Sequence, residues 1–349
     1  MRIAQVCPRF PPYTGGIETH VYEISKRLAR EFDVEVLSTD PAGKKMEEMD
    51  SIVVKRFKCF APSESYYLSP SLYYYLKKNS SRYEIMHAHG YHAFPALHAA
   101  MAKKENKLIF TPHYHGKGHS FVRNLLHKPY KLLGSKIFKK ADAVICVSEH
   151  ERNLVLKNFK IEAHVIPNGI DLDEFKTNGI KKSGNGSRKI LYVGRLEKYK
   201  GIDYIVETLT RLGNEFIFDI VGKGPYKQKI IRFAEKLGVL NRINFYKDLS
   251  RRELVKKYAE ADVLVLLSRY EAYGLAVAEA LAAELPCIVA NEAALKEWVD
   301  GRSVFGIDYP IDIEELAELI KKVAGKTVKN DRLLSWDDVV KQIKRVYGL

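Results

Sequence analysis

The sequence predicts an α/β fold with two doubly wound, Rossmann-like domains, and three observations lead to it. Short apolar strand patterns alternate with helix-length amphipathic segments almost throughout the chain, as in parallel sheets covered by helices on both faces. The length of 349 residues favours two domains, because a domain holds about 100–200 residues. A stretch rich in Gly, Ser, Asn and Lys at residues 177–189 has the composition of a linker or an exposed loop.

In the first half of the chain, apolar runs predict a series of strands. The helix after the first strand is the clearest, because Ile17, Val21, Ile24 and Leu28 recur at helical spacing and form one stripe. The predicted strands are RIAQVC (2–7), DVEVLST (33–39), IVVKRF (52–57), EIMHAH (84–89), LIFTPH (108–113), DAVICVS (142–148) and AHVIPNG (163–169).

The second half repeats this alternation, so the domain boundary is expected near residues 170–188. Ligands of doubly wound sheets bind beyond the carboxyl ends of the strands, and two such domains facing each other would form a central cleft. The predicted strands are KILYVG (189–194), FIFDIVG (216–222), INFY (243–246), DVLVLL (262–267) and PCIVA (286–290), and the clearest helices are GIDYIVETLTRL (201–212) and DIEELAELIKKV (312–323).

Composition restricts the class of protein and its compartment. A hydrophobic content of 46% and a charged content of 29% are ordinary for a soluble globular protein. Four widely spaced cysteines without a CxxC pair argue against a cysteine zinc site or a disulfide framework and favour a reducing compartment. Without a signal-peptide pattern or an apolar run long enough to span a bilayer, the expected location is cytoplasmic.

The net charge of +14 is concentrated in part in one segment. Residues 106–141 contain eight Lys or Arg and no acidic residue, and Leu, Ile and Phe are interleaved with the cations. This pattern fits either a solvated helical face or a surface that lies on anionic lipid, which would place the protein at the inner face of a membrane. Nucleic acid is a third possibility, but no recognition motif accompanies the charge.

Cations and glycines follow two strands of the second domain. Arg195 and Lys200 lie five residues apart after LYVG, and Gly222 and Gly224 bracket Lys223 after FDIVG. Arg, Lys and the free N–H groups of a helix start together suit a diphosphate. Each feature alone is weak, because cations in loops are commonly just solvated.

Two glutamates flank a turn in the stretch SRYEAYGLAVAEA at 268–280. Gly274 allows close approach of the backbone to a phosphate, and the N–H groups of Gly274 and Leu275 begin a helix. Glu279 stands among apolar residues, where a carboxylate needs a partner, and it could accept hydrogen bonds from a ribose diol. Glu271 would lie where a sugar on the diphosphate projects. The alternative is a pair of surface glutamates.

These motifs together resemble one family. EAYGLAVAE resembles the E-x7-E motif of the retaining GT-B glycosyltransferases of family 4, the "glycosyl transferases group 1" type, and four other motifs match in order and spacing over essentially the whole chain. The five matching segments are PPYTGGIETH (11–20), PNGID (167–171), VGRLEKYKG (193–201), VGKGP (221–225) and EAYGLAVAE (271–279).

The resemblance implies a GT-B fold, with two Rossmann-like domains facing a central cleft. Residues 1–170 would form the acceptor domain and residues 171–334 the nucleotide-sugar donor domain. The last helix, about 335–349, would cross back to the first domain.

The resemblance also implies roles for single residues. Arg195 and Lys200 would hold the donor diphosphate and stabilise the leaving group, Glu279 would bind the ribose, and Glu271 would contact the donor sugar. His113 matches the family's histidine that contacts the transferring sugar. The other residues expected to bind the donor are glycines and one helix start: Gly15, Gly16, Gly222, Gly224, Gly274 and Leu275.

The resemblance implies no metal and no cofactor, because Arg and Lys take the place of a divalent ion. The segment HYHG at 113–116 and the other histidines raise a metal site as an alternative, but their spacing fits no ligand set well. His87 and His89 are expected to be structural or to position other groups.

Two segments depart from the family's pattern. Lys247 in FYKD stands where many relatives have a glycine, in a loop expected near the base, so UDP and GDP both stay open as the donor nucleotide. NEAALKEWVDG at 291–301 replaces a Gly-Gly-x-x-E segment, and Glu297 is the expected equivalent carboxylate.

The predicted function is retaining transfer of a sugar from a nucleotide diphosphate sugar to an acceptor glycan or lipid, without nucleic acid as a partner. Within the enzymes, a GT-B sugar-nucleotide epimerase is the alternative, and a pyridoxal phosphorylase is disfavoured because no Schiff-base lysine can be identified. The alternative from another class is a basic nucleic-acid-binding protein, whose duplex binding would depend strongly on salt.

Overall fold

The computed structural model describes residues 1–43, 45–62, 66–116, 130, 133–175 and 186–349. The chain divides into two compact units, which we call unit 1 and unit 2. Unit 1 comprises Met1–Gly169 together with Trp336–Leu349, and unit 2 comprises Ile170–Ser335.

Unit 1 is built on a twisted sheet of eight strands in its described residues. The strands are β1 Arg2–Cys7, β2 Asp33–Asp40, β3 Lys45–Met49, β4 Ile52–Lys58, β5 Ile85–His89, β6 Lys107–Thr111, β7 Ala143–Cys146 and β8 His164–Val165. Their order across the sheet is β3-β4-β2-β1-β5-β6-β7-β8. β3 pairs antiparallel with β4, and the other pairs are parallel.

The helices that connect these strands include α1 Gly16–Leu28, α2 Pro70–Asn79, α3 Phe94–Ala102 and α4 Glu149–Phe159, and residues 133–140 before β7 are also helical. In α1 the predicted stripe faces inward, with Val21, Ile24 and Leu28 buried. Local sequence fixes where α2 begins, because the Ser69 hydroxyl accepts the Leu72 N–H and Pro70 stands at the first helical position.

Unit 2 has a six-stranded, wholly parallel sheet in its described residues. The strands are β9 Arg188–Val193, β10 Phe216–Val221, β11 Ile243–Tyr246, β12 Val263–Leu266, β13 Cys287–Ala290 and β14 Val304–Ile307, in the order β11-β10-β9-β12-β13-β14. The helices are α5 Ile202–Thr208, α6 Lys227–Lys236, α7 Arg251–Glu260, α8 Leu275–Ala282 and α9 Ile313–Val323.

The C-terminal helix α10, Trp336–Tyr347, belongs to unit 1. Arg27 of α1 pairs with Asp337 at 3.2 Å, and Lys107 Nζ donates to the Val346 carbonyl at 2.8 Å. The Tyr347 hydroxyl is buried beside β1 and β5, where it contacts Gln5 and His87.

Each sheet has one point where the strand order reverses. In unit 1, β1 lies between β2 and β5, and in unit 2, β9 lies between β10 and β12. The helices that follow two such neighbouring strands pack on opposite faces, so a crevice opens at the carboxyl ends of the strands. Ligands of this fold class bind at that switch point.

Strand positions predicted from the sequence agree with the structure, and their ends differ. β3 and β14 are additional. β3 has the polar sequence KMEEM and lies at the sheet edge, where one apolar face is not required. The predicted strand LIFTPH ends at Thr111, and His113 lies beyond it with φ of 47°. AHVIPNG contributes only His164–Val165 to the sheet.

Much of the basic segment expected to lie on lipid, including Phe121, Leu125, Leu126 and Leu132, is outside the described residues. For Phe138 the expectation of lipid contact is wrong, because its ring is 2% exposed and packs against Phe110 and Phe159. Lys136, Lys139 and Lys140 are exposed. In the described ranges, no helix combines the length and the apolar composition needed to cross a bilayer.

Candidate active site

The predicted diphosphate-binding residues lie at the switch point of unit 2. Arg195 and Lys200 follow β9, and Glu271 follows β12, the neighbouring strand. A backbone hydrogen bond of 3.0 Å from the Arg269 N–H to the Tyr199 carbonyl joins the two segments. Parallel strands end at the same sheet edge, so residues about 70 positions apart in the sequence become neighbours.

Lys200 and Glu271 form an ion pair at this edge. Lys200 is only 8% exposed, and its ammonium lies 5.2 Å from the centre of the Tyr199 ring. Burial by itself lowers the pKa of Lys200, but the charge and hydrogen bond of Glu271 outweigh it, so the pKa is raised. Lys200 is therefore a buried, permanently charged cation with one carboxylate as counter-ion.

Arg195 is more accessible than Lys200. Its side chain is 45% exposed and lies 3.3 Å from Glu197, and its carbonyl accepts the Tyr192 hydroxyl at 2.8 Å. The backbone of Arg195 is thus fixed by a buried tyrosine while its guanidinium faces solvent. A fixed backbone with an exposed, planar guanidinium suits an arginine that binds an anion through two hydrogen bonds.

The Tyr273-Gly274 turn presents the start of α8. Gly274 has φ of 94°, and a Cβ there would lie 2.8 Å from Leu295, so both the backbone and the packing require glycine. The Trp298 indole donates to the Tyr273 carbonyl at 2.8 Å and anchors the turn. No side chain of the described residues caps α8. The first N–H groups, including that of Leu275, have no partner within the helix and can bind an anion.

Glu279 is 5% exposed, and its burial is explained by two partners that the sequence analysis missed. Arg251 forms an ion pair with one carboxylate oxygen, and the Tyr258 hydroxyl donates to the other at 2.8 Å. Both partners lie on α7, seven residues apart and therefore on one face. The spacing within α7 was a usable signal, but nothing local connects α7 with α8.

Gly222 and Gly224 have a reason to be glycine that involves no ligand. A Cβ at Gly222 would lie 2.0 Å from the Gly194 carbonyl oxygen, and one at Gly224 would lie 2.3 Å from the Leu196 carbonyl oxygen. The Leu196 N–H also donates to the Lys223 carbonyl at 3.0 Å. These glycines let the loops after β9 and β10 lie against each other, which keeps the Arg195 loop in place.

The two residues singled out where the chain departs from the family pattern, Lys247 and Glu297, lie at the surface. Lys247 is exposed in the turn after β11. Glu297 is exposed in a short 3-10 helix, Ala293–Trp298, whose Ala294 N–H lies 3.5 Å from the Glu271 carbonyl. The replaced glycine segment therefore still packs beside the Glu271 turn.

Gly15 and Gly16 lie at the switch point of unit 1, at the start of α1. A Cβ at Gly15 would meet the Glu18 carboxylate at 2.4 Å, and Glu18 itself pairs with Arg9 at 2.6 Å. Around Gly16, no described atom lies within 4 Å of a Cβ position. The space above Gly16 is open, so packing does not require a glycine at this position.

His113 follows β6 in unit 1 and is 8% exposed. Its φ of 47° is uncommon for a residue with a side chain, and such strain is concentrated at functional sites. Two other histidines surround it: the ring centre of His20 lies 5.1 Å away and that of His89 lies 6.2 Å away. These three residues come from α1, β5 and the end of β6, so no local sequence pattern joins them.

Burial keeps these imidazoles neutral. It lowers the pKa of His20 to about 4, even though the hydrogen bond to Asn168 opposes the shift. Burial also lowers the pKa of His89 and His113 well below the usual value, and the neighbouring histidines add to this.

Comparison with solved structures defines the class. Anabaena HepE, whose crystal structure is described as a complex with UDP and glucose, superposes with a TM-score of 0.80 at 16% identity, over 100% of this chain and 99% of that chain. This likeness shows that the fold is GT-B, as predicted from the sequence.

Comparison with protein families then gives the family. The model described as Glycosyltransferase Family 4 matches residues 14–174, and the model described as Glycosyl transferases group 1 matches residues 174–333. The two models together span nearly the whole chain, which therefore belongs to glycosyltransferase family 4 and is a glycosyltransferase. The predicted resemblance and enzyme class are confirmed.

Named relatives agree with this family. A glycosyltransferase of Methanocaldococcus jannaschii is 28% identical over 96% of this chain and 95% of its own length. Glycogen synthase of Mycobacterium tuberculosis is 29% identical over 93% of this chain and 86% of its own length.

Proposed function

We propose that this enzyme transfers a sugar from a nucleotide diphosphate sugar to an acceptor, with retention at the anomeric carbon. The observation that carries the proposal is the pair of cations at the switch point of unit 2. Lys200 is buried and charged, and Arg195 is held by its backbone with an exposed guanidinium. These groups, with the free N–H groups at the start of α8, match a diphosphate in charge and in donors.

In the proposed reaction, the bond between the anomeric carbon and the diphosphate oxygen breaks, and its electron pair leaves on the diphosphate. A bond to the acceptor oxygen forms on the same face of the sugar, and the acceptor proton passes to a diphosphate oxygen. The enzyme's main task is to stabilise the growing negative charge, which preorganised cations and N–H groups do without reorganising. Same-face attack is taken from the family resemblance.

Glu279 and Glu271 complete the proposed donor site. Glu279 is held by Arg251 and Tyr258 through one contact to each oxygen, and each carboxylate oxygen retains a lone pair for a ribose hydroxyl. Glu271 neutralises Lys200 when no donor is bound. On donor binding, the diphosphate would share Lys200, and Glu271 would be released toward the hydroxyls of the sugar.

The relatives suggest which donor nucleotide and which acceptor to test first. The HepE complex with UDP and glucose supports testing uridine donors first, with GDP-sugars as the alternative. Glycogen synthase acts on a glycan by name, and a lipid acceptor is the second candidate. In unit 1, we propose Gly15 and Gly16 as a second contact to the diphosphate and His113 as a contact to the transferring sugar.

The test compares Lys200→Ala with Lys189→Ala. Lys189 is a matched control, because it also forms a partly buried ion pair, with Glu260 at 3.0 Å, but lies at the start of β9, at the opposite end of the strand from the loop that carries Lys200. A thermal-shift panel of UDP, GDP and their sugars identifies the donor, since a ligand that binds the folded state raises its stability.

With the identified donor, Lys200→Ala should lower turnover on the order of 10²-fold, as for the loss of one transition-state donor. Lys189→Ala should leave turnover near that of the parent. Arg195→Ala should also lower turnover without lowering the melting temperature, since the side chain is exposed. Equal turnover of the Lys200 and Lys189 variants would remove Lys200 from the mechanism.

We also propose that transfer needs no divalent metal, because Arg195, Lys200 and the α8 start supply the positive charge. Activity should survive dialysis against a chelator. Loss of activity that magnesium or manganese restores would contradict this.

A further inference from the structure

Three buried histidines of unit 1, His20, His89 and His113, lie together, and we call them the histidine cluster. One donor atom from each lies within 4.8 Å of the others. Among the described residues, no other group of three or more His, Cys, Asp or Glu side chains converges in this way.

Each histidine of the cluster has one ring nitrogen without a hydrogen-bond partner among the described residues. These atoms are His20 Nε2, His89 Nδ1 and His113 Nε2, and all three are buried. A buried polar atom without a partner is costly, and three of them in one place indicate a missing ligand rather than three separate defects.

Neighbouring amides set the protonation of two of these rings. His20 Nδ1 lies 2.8 Å from the Asn168 side-chain oxygen, and His89 Nε2 lies 2.8 Å from the Gln5 side-chain oxygen. An amide oxygen only accepts, so each of these nitrogens must carry the proton. The opposite nitrogens, which face the cluster, then carry lone pairs.

Gln5 is itself oriented by a further contact, because its amide nitrogen donates to the Tyr347 hydroxyl at 3.1 Å. Converging lone pairs repel one another and call for a shared cation. Histidines that bind metals in proteins have this arrangement, in which the outer N–H donates to a carbonyl or carboxylate that fixes the tautomer.

His87 does not belong to the cluster, although its ring centre lies 4.1 Å from that of His89. Its two ring nitrogens lie 2.8 Å from the Tyr347 hydroxyl and 2.7 Å from the Thr111 hydroxyl, so both are occupied. Histidines at the same sheet edge therefore differ: both ring nitrogens of His87 have partners, whereas each histidine of the cluster has one nitrogen without a partner among the described residues.

We propose that His20, His89 and His113 form a binding site for a divalent transition-metal ion of the zinc type. Three neutral imidazoles without a carboxylate suit Zn²⁺ or Co²⁺ and disfavour Mg²⁺ and Ca²⁺, which prefer oxygen. Zinc–nitrogen distances are about 2.0–2.1 Å. The donor atoms need to close by only about 1–1.5 Å, which rotation of the rings can provide.

The metal and the sugar would compete at His113, because one ring nitrogen cannot serve both. We therefore expect Zn²⁺ to inhibit the transfer proposed above rather than to support it. Only this consequence rests on the proposed function, since metal binding is measured without any donor.

The experiment titrates the full-length protein, freed of metal with a chelator, with ZnCl₂ in a calorimeter and with CoCl₂ in a spectrophotometer. We expect one zinc per chain and a visible cobalt absorption of the intensity typical of a tetrahedral site. His20→Gln, His89→Gln and His113→Gln should each weaken zinc binding about tenfold or more, at least as much as losing an outer partner of a metal ligand.

His98→Gln is the matched control. His98 is also buried in unit 1 with an unpartnered Nδ1, but it packs against Tyr73 and Phe94 instead of other histidines. This variant should bind zinc as the parent does. Circular dichroism checks the fold of each variant, and the cobalt spectrum of the parent gives a result that depends on no variant.

Two results would overturn the proposal. The first is a parent protein without the cobalt band and without zinc uptake, which would mean that water or a substrate hydroxyl satisfies the cluster. The second is zinc uptake retained by a folded variant that combines His20→Gln, His89→Gln and His113→Gln, which would place the ion elsewhere.

Discussion

At the scale of single residues, Glu279 shows why a carboxylate can be buried at a helix of Leu, Ala and Val. Arg251 neutralises its charge, and the Tyr258 hydroxyl donates a hydrogen bond to its other oxygen. A carboxylate fixed on both oxygens is preorganised to accept further hydrogen bonds, which reduces the entropy lost on binding. The proposed contact to the ribose therefore depends on α7 as well as on Glu279 itself.

Glu279→Ala should weaken binding of the donor nucleotide by about 1.5–3 kcal/mol, the range for hydrogen bonds to a charged group. Tyr258→Phe should have a smaller effect of the same sign, because the carboxylate remains but is held by one partner. Titration calorimetry with the nucleoside diphosphate measures both. Glu260→Ala, which removes a carboxylate at the last residue of α7, controls for charge. Unchanged affinity in Glu279→Ala would refute the ribose assignment.

At the scale of elements, the glycines separate into two kinds. Gly222 lies where a Cβ would meet a backbone oxygen at 2.0 Å, whereas Gly16 faces open space. The sequence presents both as glycines of phosphate-binding loops. Packing explains the first and places no constraint on the second, where we propose that the donor approaches the backbone.

Gly16→Ala should therefore fold with unchanged or slightly higher stability, because alanine favours a helix more than glycine does. Its transfer activity should fall about tenfold or more, equivalent to about 1.4 kcal/mol, if the backbone at Gly16 approaches the donor. Gly222→Ala is the contrasting variant and should lower the melting temperature. The measurements are thermal unfolding and turnover of both proteins. Full activity of Gly16→Ala would assign its glycine no role in the reaction.

The second element with a testable role is α10. The Tyr347 hydroxyl lies among buried polar groups, 2.8 Å from His87 and 3.1 Å from Gln5. Removing it leaves both without this partner, and a buried unsatisfied group costs about 1–3 kcal/mol.

Tyr347→Phe should lower the free energy of unfolding by that amount in urea denaturation. Tyr74→Phe, with a side chain that is 69% exposed, should leave it unchanged. Similar urea midpoints for the two variants would show that the Tyr347 hydroxyl of α10 does not stabilise unit 1.

At the scale of the whole molecule, the charge of +14 favours contact with anionic surfaces. Lys136, Lys139 and Lys140 are exposed while Ile137 and Phe138 are buried in the core. The described part of the basic segment thus offers charge and the 40% exposed side chain of Leu133 to a membrane, but not the side chain of Phe138. We propose peripheral binding that is mainly electrostatic.

This predicts co-sedimentation with anionic vesicles that decreases as salt is added, because each lysine near the surface contributes about 1 kcal/mol. Binding should weaken when Lys128, Lys131, Lys136, Lys139 and Lys140 become Ser. The control variant replaces five exposed lysines of unit 2 by Ser: Lys229, Lys236, Lys322, Lys326 and Lys329. If both variants lose the same amount of vesicle binding, net charge alone explains the binding. If the parent protein does not bind anionic vesicles even at low salt, a soluble acceptor is favoured.

The sequence alone determined the GT-B fold, the family and the strand ends where cations and glycines gather. These features are local, because the periods of strands and helices and the spacing within a motif are written in consecutive residues. The differences between predicted and observed strands are small. The polar edge strand Lys45–Met49, for example, is missing from the prediction because it lacks the alternation of apolar and polar residues found in a half-buried strand.

Only the tertiary structure decided which side chains became partners. Lys200 meets Glu271 because β9 and β12 are adjacent, and Arg251 meets Glu279 because α7 packs beside α8. His20, His89 and His113 converge from three elements across the switch point of unit 1. The physical reason is that pairing depends on strand order and helix packing. These are long-range properties that no local pattern encodes. Burial then lowers the pKa of the three histidines, whereas the charge and hydrogen bond of Glu271 raise the pKa of Lys200.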